Sequence, residues 1–228
     1  MSSPHVVIVG ADKGGVGKTT VARALKDYYQ SHGITVRAFD GEFLAKDPVT
    51  GESRGTFARF FPGTTVVNLG ESDDQMKVFD GLHLAQVTLV DLPAGNMTST
   101  LTMLRTLGFF SGIDQGILRL TALHVIGSNK ASFDEIDATR AAVQGATYHT
   151  VLNTTNRSKF EGLPASVKDP IRVPLLDEKA AATVDLLSMG FSAYYADMAN
   201  QSRVLRGYVD NWLRQVWREF DRKQLNAL

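Results

Sequence analysis

The chain has 228 residues, with 24 lysines and arginines against 24 aspartates and glutamates, and no cysteine. Balanced charge gives no global basic excess to announce nucleic acid, so any such surface must be local. The missing cysteines exclude disulfides, thiolate nucleophiles and thiolate metal sites. Hydrophobic content of 43% and charged content of 21% are ordinary for a globular chain, long enough for one sizeable α/β domain over residues 1–228. The first residues lack the basic-then-apolar layout of a secretory signal, and no apolar run approaches membrane-spanning length; a cytoplasmic location is expected.

In chain order, residues 5–10 read as a short buried strand closed by glycine. The stretch G-A-D-K-G-G-V-G-K that begins at Gly10 puts four glycines and two lysines within nine positions. Glycine that dense is costly to order, so something must compensate, and phosphate fits. Residues 19–31 follow with Val21, Ala22, Leu25, Tyr28 and Tyr29 at helical spacing and Gly33 as the stop. Residues 34–40 return as a strand ending in an acid. Residues 41–70 are rich in Gly, Pro and Thr and read as loop with little regular structure. A strand at 86–91 runs into Leu92-Pro93-Ala94-Gly95. Further strands are predicted at 118–126 and 147–153, with helices at 132–144, 178–189 and 202–223. Such alternation predicts a mostly parallel twisted sheet with helices on both faces. Ligands of these sheets gather at the carboxyl ends of the strands, where Gly10, Asp40, Asp91 and Asn153 fall.

A strand, a glycine-rich turn and a helix opening at Lys18-Thr19 make a phosphate-binding arrangement. Gly14, Gly15 and Gly17 let backbone amides point inward, and the helix N-terminus adds a positive dipole end. Lys18 then contacts the β- and γ-phosphates and the Thr19 hydroxyl binds Mg2+. The plainer alternative is a flexible turn with solvated lysines. The run Lys13-Gly14-Gly15-Val16-Gly17-Lys18-Thr19-Thr20 resembles the deviant Walker A loop of the ParA/MinD group of dimeric ATPases, which are P-loop NTPases. It departs from the strict P-loop pattern in carrying Asp12 six positions before Lys18, an extra carboxylate beside a polyphosphate. The resemblance implies ATP and Mg2+ as cofactors and a homodimer formed on ATP binding. It also implies that Lys13 is a signature lysine reaching the partner's phosphates, a second cation suited to phosphoryl transfer.

Three later segments match the family in order. In Ala38-Phe39-Asp40-Gly41-Glu42, Asp40 and Glu42 stand where the family has two aspartates spaced by one residue, the second orienting the attacking water. The extra methylene of Glu42 shifts that water by about an ångström, so slow hydrolysis is expected; the alternative for Glu42 is a solvated loop acid. Val90-Asp91-Leu92-Pro93-Ala94-Gly95 resembles the Walker B strand and second switch, which implies that Asp91 joins Thr19 and Asp40 around the metal. Val151-Leu152-Asn153 resembles the strand whose asparagine reads the adenine edge, although a lone Asn there is also a turn residue. Val173-Pro174-Leu175-Leu176-Asp177 resembles the base-flanking loop, which places Pro174 against the nucleotide. The lack of cysteine separates the chain from the iron–sulfur and zinc-clamped relatives.

The last predicted helix carries Arg203, Arg206, Arg214, Arg218 and Arg222 within roughly 160° of one face, with Trp217 just inside the arc. It reads as a docked amphipathic helix with a solvated arginine face partly neutralised by Asp210, Glu219 and Asp221, as a nonspecific binder of DNA phosphates, or as a binder of an anionic membrane. The membrane is the weakest of the three. The function expected is an ATP-driven dimerising switch that positions a plasmid, chromosome region or protein complex on DNA or membrane. An unknown activator protein is expected with it. The competing readings are a metabolic P-loop enzyme of the dethiobiotin-synthetase or cobyrinate-amidating type, and a non-hydrolysing nucleotide-gated adaptor.

Overall fold

The apolar run after Pro4 forms strand β1 (His5–Gly10), every residue of it buried. It lies at the centre of a seven-stranded sheet. The computed structural model describes residues 3–46, 53–143, 145–155, 157 and 159–227. After β1 come α1 (Lys18–Ser31), β2 (Val36–Asp40), β3 (Phe43–Lys46), β4 (Ser53–Gly55), β5 (Thr65–Val66), α2 (Ser72–Phe79) and β6 (Val87–Asp91). Then follow α3 (Met97–Thr106), α4 (Phe109–Asp114), β7 (Arg119–Ile126), α5 (Lys130–Asp134), α6 (Ile136–Ala142) and β8 (Thr147–Asn153). The chain continues through β9 (Ile171–Val173), α7 (Glu178–Leu186), α8 (Phe191–Ala196) and α9 (Arg203–Arg222).

The strand order is β5-β2-β6-β1-β7-β8-β9, and all neighbours run parallel. Successive side chains of a strand point to opposite faces, and β1 divides accordingly. Val7 and Val9 join a core with Leu25, Tyr28, Phe191, Val209 and Val216, under α1, α8 and α9. Val6 and Ile8 join Val78, Met97, Leu101 and Phe110, under α2, α3 and α4. Because both faces are covered, the strands read as continuous apolar runs rather than alternating ones. The sheet order turns at β1, so the crevice at the carboxyl ends of β1, β2, β6 and β8 is a topological switch point.

The sequence-predicted elements appear with three corrections. Segment 41–70 holds an antiparallel β3–β4 ribbon, a single 3-10 turn at Ala58–Phe60 and β5 at the sheet edge, although it shows no hydrophobic period. Residues 47–52 of that segment lie outside the described residues. The predicted helix at 132–144 divides at Glu135 into α5 and α6, with Phe133 and Ile136 packed on Ile126 and Leu152. The predicted helix at 178–189 ends at Leu186, two residues before Ser188 takes a left-handed φ of 51°. Among the described residues no helix is long and apolar enough to cross a membrane.

Besides Lys18 at its start, helix α1 buries three charges off its apolar stripe: Arg23, Lys26 and Asp27 are 5, 6 and 3% exposed. The Arg23 guanidinium lies 3.4 Å from the Phe60 ring centre and 4.2 Å from that of Phe191. Asp27 accepts from the Ser192 amide at 3.1 Å, near the start of α8. Burial pushes the Asp27 carboxyl up to about 6, against the pull of the Ser192 and Phe191 amides and Arg23. The folded state therefore holds a proton that the unfolded state has released, so this group's contribution to stability falls as pH rises from about 4 to 6. Asp27→Asn is expected to flatten that slope, on the order of a few kcal/mol across the window. Urea midpoints measured in both proteins from pH 4 to 7 check it, and parallel curves would count against it.

Candidate functional site

Between β1 and α1 the chain turns tightly over residues 11–17. Gly15 and Gly17 take φ of 74° and 81°, in the left-handed region that residues with a Cβ avoid. At Gly17 a second constraint applies: a Cβ there would stand 2.2 Å from Asn153 Nδ2. Asn153, at the end of β8 and 4% exposed, donates through that nitrogen to the carbonyls of Val16 at 2.9 Å and Gly17 at 3.3 Å. In this state it ties the loop down from the side where the sequence places base recognition. Gly14 and Gly15 are exposed and Val16 is buried.

Lys18 opens α1 and is 8% exposed. The Thr19 hydroxyl donates to Asp91 Oδ2 at 2.7 Å, at the end of β6. The other Asp91 oxygen is buried and has no hydrogen-bond partner. Burial raises the Asp91 carboxyl to about 8; the Thr19 hydroxyl and the Lys18 ammonium oppose that rise, whereas Asp40 and Glu42 add to it. Among the described residues no group of three or more His, Asp or Glu could hold a metal alone. Mg2+ asks for less, since it keeps several waters and takes one or two protein oxygens plus phosphate. The unpartnered Asp91 oxygen beside the Thr19 hydroxyl fits that requirement.

The sequence also sets Asp40 around the metal and in catalysis; the structure gives both its oxygens to the backbone. Oδ1 accepts from the Glu42 amide at 2.9 Å, and Oδ2 from the amides of Phe57 at 2.6 Å and Ala58 at 2.8 Å. Asp40 is wholly buried, and burial raises its carboxyl although the three amides pull it down. It orders the chain on either side of the β3–β4 ribbon. Glu42, half-buried, accepts from the Thr56 hydroxyl at 2.7 Å, so its carboxylate is held rather than loose in solvent.

Asp12 turns away from the cradle. It accepts from the Met97 amide at 2.9 Å, the Thr98 amide at 3.3 Å and the Thr98 hydroxyl, all in the first turn of α3. Its lone pairs thus face a helix N-terminus instead of a polyphosphate. Lys13, next in the chain, is exposed at the rim. Behind it lies Glu135, whose Oε2 stands 3.8 Å from Nε2 of the fully buried His124. Burial and Asp12 raise its carboxyl, and the nearby Lys13 and Asp12 backbone opposes that rise. Sequence reasoning missed Glu135 and His124, which sat inside a predicted helix and a predicted strand with no local signal to set them apart.

Beyond Asn153 lies a cleft of about 380 Å³ lined by Thr20, Arg23, Thr155, Pro174, Leu176 and Trp212, among others. Trp212 Nε1 of α9 donates to the Pro174 carbonyl at 2.7 Å, so α9 fixes one wall of the cleft. Of the sequence-predicted site residues, Thr20, Asn153 and Pro174 line this cleft, and Asn153 ties it to the glycine loop through Val16 and Gly17. Lys18, Thr19 and Asp91 form a separate group at the start of α1, with Thr19 bonded to Asp91. The arginine face of α9 is less free than its spacing predicts. Arg206 donates to the Tyr195 carbonyl at 3.1 Å and Arg214 pairs with Asp210 at 2.7 Å. Arg222 binds Asp169, Glu219 and the Pro170 carbonyl. Arg203 and Arg218 are exposed, and among the described residues neither has an ion pair.

A parallel sheet with a glycine loop between its central strand and the following helix, a lysine and threonine at that helix start and an aspartate at the neighbouring strand end define the P-loop NTPase fold. Within that class the chain has the fold of MinD and ParA-like partition ATPases. It is similar to the cell division ATPase MinD of Pyrococcus furiosus, with TM-score 0.52 and 17% identity over 96% of this chain and 99% of that one. MinD of Pyrococcus horikoshii OT3, the septum site-determining protein solved with Mg-ADP, gives 0.54 and 18% over 97% and 96%. A plasmid partition protein of Borrelia burgdorferi B31 bound to AMPPNP gives 0.55 and 13% over 97% and 100%. No family model matches the sequence. No curated protein matches it either.

Proposed function

We propose that the chain is an ATP- and Mg2+-dependent switch ATPase of the ParA/MinD type, which dimerises on ATP and releases the dimer by hydrolysis. The observation that carries this reading is the pairing of the buried Lys18–Thr19–Asp91 group with a second lysine, Lys13, exposed on the same loop. Amides of the loop and Lys18 bind the phosphates, and Asn153 and Pro174 border the base. Thr19, with Asp91 behind it, would hold the magnesium, which would supply neutralisation of phosphate charge. Glu42, fixed by Thr56, orients the attacking water, and Asp40 keeps Glu42's segment in place. Lys13 serves the phosphates of a second copy. The solved neighbours carry Mg-ADP and AMPPNP, which supports the choice of nucleotide.

The cycle positions a cargo (a plasmid, a chromosome region or a protein complex), and an activator protein accelerates release. Of the surfaces on which it could act, DNA is favoured, met by Arg203 and Arg218; the engagement of Arg206, Arg214 and Arg222 within the chain predicts weak, strongly salt-sensitive binding. Light scattering of the purified protein, with and without Mg-ATP, tests the switch. Mass is expected to double with nucleotide, Lys13→Ala to bind ATP yet dimerise only at much higher protein concentration, and Glu42→Ala to dimerise while phosphate release falls at least about tenfold. Strict monomers under all conditions, or unchanged turnover in Glu42→Ala, would remove the assignment. Phosphate release that depends on a small organic acid, and not on DNA or lipid, would favour a metabolic enzyme.

A further inference from the structure

The loop that carries Lys13 is fastened to helix α3, which follows the Asp91–Gly95 segment. Helix α3 begins two residues after Gly95, the end of the segment that follows Asp91. Its own N-cap residue, Asn96, makes no side-chain capping bond. Asp12 does that work from the other loop, with the three bonds to Met97 and Thr98 given above. Two further bonds draw the segments together: the Gly95 amide to the Ala11 carbonyl at 3.3 Å and the Leu92 amide to the Val9 carbonyl at 2.9 Å. Gly95 has φ of 83°, with open space where a Cβ would stand, so glycine is favoured at this junction by conformation rather than by crowding. Lys13 is one peptide unit from the clamp, about 3.8 Å between Cα atoms.

We propose that Asp12 is a positioning residue, which couples Lys13 to the first turn of α3 so that the lysine projects toward a second copy only when the Asp91–Gly95 segment has taken its nucleotide-bound form. The inference rests on the reading of Lys13 given under Proposed function. A carboxylate suits the task because it offers two acceptor oxygens and no donor, and so takes two amides and a hydroxyl together. Asparagine would aim an NH2 group at one of them. Negative charge at the helix N-terminus adds to the fit. A glycine at this position would leave the first turn of α3 uncapped and Lys13 free of it. Moving α3 without moving Lys13 requires breaking all three bonds.

The test compares the full chain with Asp12→Ala, Asp12→Asn, Lys13→Ala and the Asp12→Ala/Lys13→Ala double variant. Three quantities are read: affinity for a fluorescent ATP analogue, the dimer dissociation constant with Mg-AMPPNP, and amide exchange at Met97 and Thr98. In Asp12→Ala, nucleotide affinity is expected to stay within about twofold while dimerisation weakens about tenfold, a change of ~1.4 kcal/mol. Asp12→Asn falls between, the α3 amides exchange faster, and Asp12→Ala adds nothing to Lys13→Ala. Should Asp12→Ala not fold, Thr98→Val removes the hydroxyl donor alone and is read in the same way. Wild-type dimerisation in Asp12→Ala, or additive losses in the double variant, overturns the coupling and leaves the reading of Lys13 intact. A wild type that stays monomeric with AMPPNP overturns that reading and the coupling together.

Discussion

Lys18→Ala is expected to weaken ATP binding by about 100-fold or more and bring turnover to background, with no change in far-UV circular dichroism. Two contributions add. A charge-assisted hydrogen bond from an ammonium to a phosphate oxygen contributes about 1.5–3 kcal/mol, and Lys18 is placed to make more than one. The ammonium also offsets the buried Asp91 carboxylate, which is already held above its ordinary range. Without Lys18 that carboxylate is more readily protonated, and its free oxygen is less able to support a magnesium. Lys18→Arg should not rescue binding, because a planar fork does not replace a compact ammonium at a residue only 8% exposed. Lys13→Ala, exposed and one turn of the loop away, is expected to leave the same titration unchanged. Affinity of Lys18→Ala within threefold of wild type would mean that the loop does not cradle phosphate.

How much of this was legible in the sequence follows from the range of the interactions involved. The strand ends were, because β-branched runs closed by Gly10, Asp40, Asp91 and Asn153 carry their signal within a few residues. The glycine turn and the helix opening at Lys18 were too: the glycines, lysines and threonine sit within nine positions of one another. What escaped depends on contacts across the chain. Asp12 looked misplaced beside a polyphosphate, and only its 85-residue reach to Met97 explains it. Glu135 could not be told from any polar residue of a helix until the fold set it 3.8 Å from the buried His124. Arg23, Lys26 and Asp27 lie off the apolar stripe of α1, and a rule based on periodicity sends them to solvent. They are buried because the Phe57–Phe61 segment and α8 close over them, with aromatic faces stacked on the cations. The arginine arc of α9 failed in the opposite direction. Asp210 and Glu219, on the same helix, are partners the sequence predicts, and they do engage Arg214 and Arg222. What angular spacing did not show is that Asp169 and the carbonyls of Tyr195 and Pro170 would engage Arg206 and Arg222 from other elements.

Asp40 shows how the same long-range logic converts an assigned role into a measurable one. Its carboxylate bridges β2 to the amides of Phe57 and Ala58, 17 and 18 residues away, and to Glu42 two residues away. Asp40→Ala leaves these buried donors without acceptors, and a missing acceptor costs about 1–3 kcal/mol per buried group. A total loss of roughly 3–5 kcal/mol is therefore expected, near the upper end for single substitutions. Asp40→Asn keeps one acceptor oxygen, which can serve Phe57 and Ala58 together, and should lose about 1 kcal/mol for the Glu42 amide. Gly55→Ala approaches the same defect from the opposite side, since a Cβ there would lie 2.2 Å from Asp40 Oδ2. Both Asp40→Ala and Gly55→Ala should lower the urea midpoint and slow turnover, because Glu42 loses its fixed place. A magnesium ligand would behave differently: Asp40→Asn would then shift the Mg2+ dependence of ATP binding and leave the urea midpoint nearly unmoved. Titrating Mg2+ against ATP affinity in Asp40→Asn separates the two, and an unshifted curve with a lowered midpoint is the expected result. Under that outcome Asp40 acts by holding the backbone on both sides of the β3–β4 ribbon, and with it the place of Glu42.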